Sequence, residues 1–185
     1  MEKIKCLFLI LFLVNCTSND REAVDYSLMN KPLYDYDVEE KILNMGYAIP
    51  EPSKPIANYV PAVSFSESAA TKLVYVSGTG PKMVSGEYIT GKVDKDLSVE
   101  EGYEAAKLTA LNILGSLKGE IGDLNKVVRV VKVIGMVNST PTFIQQPAVI
   151  NGFSVFIVEV FGDRGKHTRA AAVSYTHLTL PTKRI

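Results

Sequence analysis

The 185-residue chain has no tryptophan, only two cysteines and only two histidines. Both cysteines, Cys6 and Cys16, fall within the first sixteen residues, so the rest of the chain holds no disulfide, no thiol nucleophile and no cysteine metal site. An excess of charge is missing too, because 20 Lys and Arg balance 20 Asp and Glu. That balance argues against a nucleic-acid groove or any other polyanion partner. The longest apolar run, Cys6 to Val14, is short of the roughly 20 residues a spanning helix needs. Gly91-Lys92 lacks the spaced glycine before it and the Ser or Thr after it that a Walker loop requires, so nucleotide binding is disfavoured and no cofactor is expected.

What is present at the N-terminus reads as targeting. Lys3 and Lys5 precede the apolar run, and Leu13-Val14-Asn15-Cys16 resembles the lipobox of bacterial lipoproteins. Asn15 departs from the usual Gly, Ala or Ser. Residues 1–15 are therefore expected to be a lipoprotein-type signal peptide, with Cys16 as the lipidation site and acyl chains tethering the protein to a membrane of the bacterial cell envelope. Ordinary secretion into the periplasm, or an uncleaved anchor, is the alternative. Residues 16–54, polar and then proline-rich at Pro50, Pro52 and Pro55, read as a tether with a short helix near Asp37 to Leu43.

The far end poses a different problem. Ser174-Tyr-Thr-His-Leu-Thr-Leu-Pro-Thr182 matches the translation of a transposase-type sequencing adapter, so residues 172–185 are expected to be non-native and the native sequence to stop near Ala171. His167 is then the sole native histidine, and a lone histidine without cysteines makes no metal site.

Between these ends, residues 55–171 carry an α+β pattern. Leu73-Val-Tyr-Val-Ser77 is β-branched and aromatic and closes on Gly78-Thr-Gly80-Pro81, which predicts a strand and a turn. Glu87 to Val93 is expected to return as the second strand of a hairpin. Ser98 with Glu101 forms a capping-box pattern, apolar residues from Tyr103 to Ile121 keep helical spacing, and Gly122 stands as the C-cap. Val127 to Val137 predicts a long strand, Asn138 to Pro141 a turn, and Pro147 to Phe161 a second helix. Gly162 to Gly165 turns the chain into a further strand from His167 to Ala171. The predicted order is ββ-α-β-α-β.

That order, together with Asn58-Tyr59-Val-Pro61, Val76-Ser77-Gly78-Thr-Gly-Pro81, Gly91-Lys-Val93, Asp96-Leu-Ser-Val-Glu-Glu-Gly-Tyr103 and Val149-Ile-Asn-Gly152, resembles the RidA (YjgF) family. The likeness spans residues 55–171 and is closest to a divergent subgroup. The resemblance implies a chorismate-mutase-like domain, a mixed sheet with two helices packed on one face, assembled as a homotrimer with small-molecule sites in the clefts between subunits. Its implied activity is hydrolysis of reactive enamines or imines to ketoacids and ammonia. The alternative is a catalytically silent trimeric module that binds small carboxylates or carbonyl compounds in the envelope.

Arg169, in Lys166-His-Thr-Arg169, matches the family arginine that holds the substrate carboxylate. Its planar fork offers two charge-assisted hydrogen bonds to such a group. Ser77 matches a serine of the cleft and stands as the second catalytic candidate. Asn151, Tyr59 and Gly78 match pocket positions for an imine or ketoacid-like ligand. Each also has an ordinary reading: a solvated strand arginine, turn residues at Ser77, Gly78 and Asn151, and a core aromatic at Tyr59. The family's final-strand glutamate has no counterpart before residue 172, and Glu159, inside the second predicted helix, does not replace it.

Overall fold

A computed structural model describes residues 32–52, 54–55, 57–65 and 71–174. The signal segment, Cys16 and residues 175–185 lie outside the described residues. The elements are α1 (Val38–Asn44), β1 (Ala62–Phe65), β2 (Leu73–Val76), α2 (Val99–Ile121), β3 (Lys132–Val137), α3 (Gln146–Phe161) and β4 (Thr168–Val173). Single turns of 3-10 helix at Leu124–Lys126 and Gly162–Gly165 follow α2 and α3.

The two long helices arise where the apolar spacing places them. Ser98 accepts a hydrogen bond from the Glu101 amide while the Glu101 carboxylate accepts one from the Ser98 amide, so α2 opens with a complete capping box. It closes at Gly122, whose left-handed φ of 79° suits a residue without a Cβ. α3 begins without a side-chain cap, with Pro147 in its first turn, where a missing N–H costs nothing. The two helices pack on each other, and the close point is Gly152: a methyl there would collide with the backbone carbonyl of Tyr103.

Four strands form two pairs. β1 and β2 are antiparallel, with Val63 opposite Tyr75 and Phe65 opposite Leu73. β3 and β4 are parallel, as a crossover through α3 requires, with Val133 opposite Arg169 and Val137 opposite Val173. α2 covers β1 and β2, and α3 covers β3 and β4. The α+β class thus holds, but the strands form two separate pairs rather than one mixed sheet, and the two strands before α2 are not the pair expected.

Three boundaries differ from the sequence reading. The hairpin partner of Leu73–Val76 is Ala62–Phe65, not residues 87–93; the latter segment makes a tight return on Pro81 and Met83 and only isolated bridges, Tyr88 to Lys82 and Val93 to Leu97 and Ser139. The strand expected over 127–137 shortens to 132–137. Arg164 pulls the start of that segment off the ladder, its guanidinium donating to the Val128 carbonyl and its own carbonyl accepting from the Val130 amide. The third correction concerns the tether. Tyr34, Val38 and Ile42 are buried in the main core with Leu114, Phe156 and Val160, and Pro50 lies against Gly115 of α2. From residue 32 to 52 the chain is therefore an integral strap of the domain, not a solvated spacer. Asp37 caps α1 by accepting from the Glu40 amide, and it also accepts from the Asn125 side chain, which fastens α1 to the turn after α2.

Candidate functional site

Strand period 2 decides which way Arg169 faces. On β4, Thr168 and Ala170 pair with the outward residues Lys132 and Ile134 of β3, whereas Arg169 pairs with Val133 on the side covered by α3. The Arg169 guanidinium accordingly meets α3. Its Nη1 donates to Asn151 Oδ1 at 2.8 Å and to Ser154 Oγ at 3.1 Å. Asn151 and Ser154 are three residues apart on one helix, so their side chains share a face. Arg169 remains exposed and forms no ion pair among the described residues. Nη2 and Nε, the other edge of the fork, carry no hydrogen bond to any described residue. A cation positioned through one nitrogen and open along the remaining edge is suited to a small carboxylate.

Ser154 links Arg169 to His167. Ser154 Oγ lies 3.1 Å from His167 Nε2, and His167 Nδ1 lies 2.6 Å from the Gly165 carbonyl. The ring stands edge-on to Phe153, centroids 6.4 Å apart. The structure thus brings Arg169 and Asn151 together and adds Ser154 and His167, which sequence reasoning did not place here. Signals for both were available: Ser154 follows Asn151 by three on a helix, and His167 precedes Arg169 by two on an extended segment.

Tyr59, Ser77 and Gly78 form a second group, on β1, β2 and their flanks. The Ser77 hydroxyl donates to the Val60 carbonyl at 2.6 Å and its amide to the Pro61 carbonyl at 2.8 Å, which closes the chain entering β1 onto the end of β2. Tyr59 is half exposed, and the space where Gly78 would carry a Cβ is open. The loop beyond is held by the buried Asn112, whose amide donates to the Gly80 and Lys82 carbonyls. No described contact joins this group to Arg169. Cys16 lies outside the described residues.

The groups with displaced pKa values serve the frame. Burial pushes the Tyr34 phenol up to about 12, partly opposed by the Arg164 cation beside it. The Glu40 amide and the Asn125 side chain hold the Asp37 carboxyl below its usual range, and the Glu39 carboxylate raises Lys118. The Lys166 ammonium lowers Asp163. Among the described residues, no group of three or more His, Cys, Asp or Glu is arranged to hold a metal ion, and no helix is long and apolar enough to cross a membrane.

The chain is similar to several known proteins. The profile of a family described as "YjgF/chorismate mutase-like, putative endoribonuclease" matches residues 39–183. Protein TCP17 of Trypanosoma cruzi is 37% identical over 135 residues, 72% of this chain and 81% of that protein. The crystal structure of Atu1372, a protein of unknown function from Agrobacterium tumefaciens, is 39% identical and superposes with a TM-score of 0.65 over 78% of this chain and 85% of its own. A "putative endoribonuclease" from Shewanella oneidensis MR-1 is 27% identical, with a TM-score of 0.68 over 75% and 88% of the two chains.

Proposed function

The chain belongs to the YjgF/chorismate-mutase-like (RidA) family, and from that premise we propose that it hydrolyses small carboxylate-bearing enamines or imines to ketoacids and ammonia at a site built on Arg169. The observation that carries this reading is the state of the guanidinium. Nη1 is fixed by Asn151 and Ser154, while Nη2 and Nε have no partner among the described residues and the residue is exposed. A bound carboxylate would accept two charge-assisted hydrogen bonds there, and its imine carbon would be held for attack by water.

The second group, Tyr59, Ser77 and Gly78, enters this reading through assembly. On the sides turned away from the helices, the two strand pairs expose apolar side chains: Val63, Phe65 and Tyr75 on β1 and β2, Ile134 and Met136 beside Lys132 on β3. An uncovered surface of this kind marks an interaction site. We take its partner to be further copies of the chain in a homotrimer, with the ligand in a cleft where Arg169 and Asn151 of one copy face Tyr59, Ser77 and Gly78 of the next.

A second reading rests on one observation. Among the described residues no carboxylate hydrogen-bonds to the Arg169 cluster, which fits a silent module that binds ketoacid-like ligands without turnover. The ribonuclease chemistry in the family description has less support, because acidic and basic residues balance and His167 is the only histidine among the described residues. For location we propose the bacterial cell envelope, with lipid on Cys16, on the strength of Lys3, Lys5 and the apolar run alone. Labelled palmitate should enter the wild type and not Cys16→Ala; equal labelling sinks this assignment.

Arg169→Ala tests the site. Removing a charge-assisted contact should cost roughly 1.5 to 3 kcal/mol, a loss of about 10- to 150-fold in ketoacid affinity by titration calorimetry. Arg169→Lys should not restore it fully, since an ammonium has no planar fork. In the enzyme reading the same loss appears in clearance of 2-aminoacrylate generated in situ by an amino-acid dehydratase. In the silent reading the wild type binds ketoacid yet clears 2-aminoacrylate no faster than water does. Wild-type behaviour of a folded Arg169→Ala in both assays removes the site assignment.

A further inference from the structure

The hydrogen-bond chain that ends on Arg169 has a fixed polarity. A backbone carbonyl only accepts, so the 2.6 Å contact with Gly165 puts the imidazole proton of His167 on Nδ1. Nε2 of the neutral ring is then an acceptor, and the Ser154 hydroxyl 3.1 Å away must be its donor. That hydroxyl already accepts from Arg169 Nη1 at 3.1 Å, which uses one of its two lone pairs and leaves one open. Protonation of Nε2 would reverse the chain. Ser154 would then accept from both Nε2–H and Arg169, and its own proton would be free to point outward.

Resting on the carboxylate site proposed above, we infer that Ser154 and His167 form the proton relay of that site. A substrate held by its carboxylate on Arg169 lies beside the free lone pair of Ser154 Oγ. Water attacks the iminium carbon: the new C–O bond forms and the C=N π electrons move to nitrogen. One water proton passes to Ser154 Oγ as the Ser154 proton passes to Nε2. The imidazolium then returns a proton through Ser154 to the amine nitrogen of the carbinolamine. The C–N bond breaks, and the leaving ammonia takes the remaining hydroxyl proton, which gives the ketoacid and ammonium. Substrate, water and products balance, and His167 ends neutral. Ser154 touches the reacting atoms, whereas His167 acts through it and is the positioning and basic partner.

Few charges surround His167. From α3 it meets Phe153 and Ser154, neither of which is charged. From β4 the nearby charge is Arg169, reached through Ser154, and on its own turn the neighbouring charges, Lys166 and Asp163, are paired with each other.

The relay is tested on the full chain with 2-aminoacrylate generated in situ. Ser154→Ala and His167→Gln should each lower the turnover rate about 100-fold or more, the scale of a general base. Ketoacid binding to His167→Gln, measured by calorimetry, should be little changed. Ser154→Thr keeps a hydroxyl and should retain much of the rate, which a purely packing role for Ser154 would not predict. The wild-type rate should fall on the acid side as the imidazole is protonated, and that limb should be absent from His167→Gln. Unchanged rates and an unchanged acid limb in both variants overturn the relay and leave the carboxylate site standing. A wild type that binds ketoacid without turnover also overturns it. Loss of the carboxylate site is seen separately, as Arg169→Ala binding ketoacid like the wild type.

Discussion

Tyr34 shows how much one side chain from the N-terminal strap contributes. It is buried, its hydroxyl donates to the Val127 carbonyl at 2.5 Å, and its ring lies beside Phe161 and beneath the Arg164 guanidinium. Burial disfavours the phenolate and pushes the pKa up to about 12. In the unfolded chain the phenol titrates near 10, so between about pH 10 and about 12 the unfolded state releases a proton that the folded state keeps. The contribution is whole below pH 10 and is lost as pH rises through 12. Two units correspond to at most about 3 kcal/mol. Urea midpoints should fall over this interval, and Tyr34→Phe should flatten that part of the profile; an equally steep fall in the variant would remove Tyr34 as the cause. The same resolution governs the site. Arg169 and Asn151 were legible through the words of a family motif, but Ser154 and His167 were not, because their part depends on an α3–β4 contact that spacing hints at and does not specify.

Among the elements, α2 could be read almost to its ends, since its capping box and its glycine stop act within a few residues of the chain. α1 could not. A seven-residue helix flanked by tyrosines and prolines has too little periodicity to distinguish a spacer from a docked strap. Its role comes from elsewhere: Val38 and Ile42 enter a core furnished by α2 and α3, and the Glu39 carboxylate pairs with Lys118 at 2.6 Å. Ile42→Ala should therefore cost about 2 to 5 kcal/mol in urea unfolding, the range for a fully buried aliphatic side chain. A cost near zero would return residues 32–52 to the status of a tether. The misassigned hairpin has a similar origin. Residues 62–65 and 87–93 both flank Leu73–Val76, and pairing went to the segment that buries Ala62 under α2.

At the scale of the molecule, the exposed apolar face of the strands is the feature that one chain leaves unresolved. Ile134 is 64% exposed and Tyr75 62% exposed, on the side away from both helices. If this face is the trimer interface proposed above, Ile134→Glu should give monomers by light scattering, because a buried unpaired carboxylate is not tolerated at such a contact. Leu43→Glu, at a comparably exposed apolar residue on α1, should leave assembly intact. A trimer that survives Ile134→Glu places the interface elsewhere. The sequence by itself determined the α+β class and the two long helices, with the caps of α2, since these follow from periodicity and local chemistry; Arg169 and Asn151 were singled out only by likeness to family motifs. Only the tertiary structure decided that residues 32–52 complete the core, that Ala62–Phe65 pairs with β2, and that Ser154 and His167 join Arg169. Each of these is a choice among distant segments, settled by which contact buries more apolar surface or satisfies a polar group, and a linear pattern carries no record of that competition.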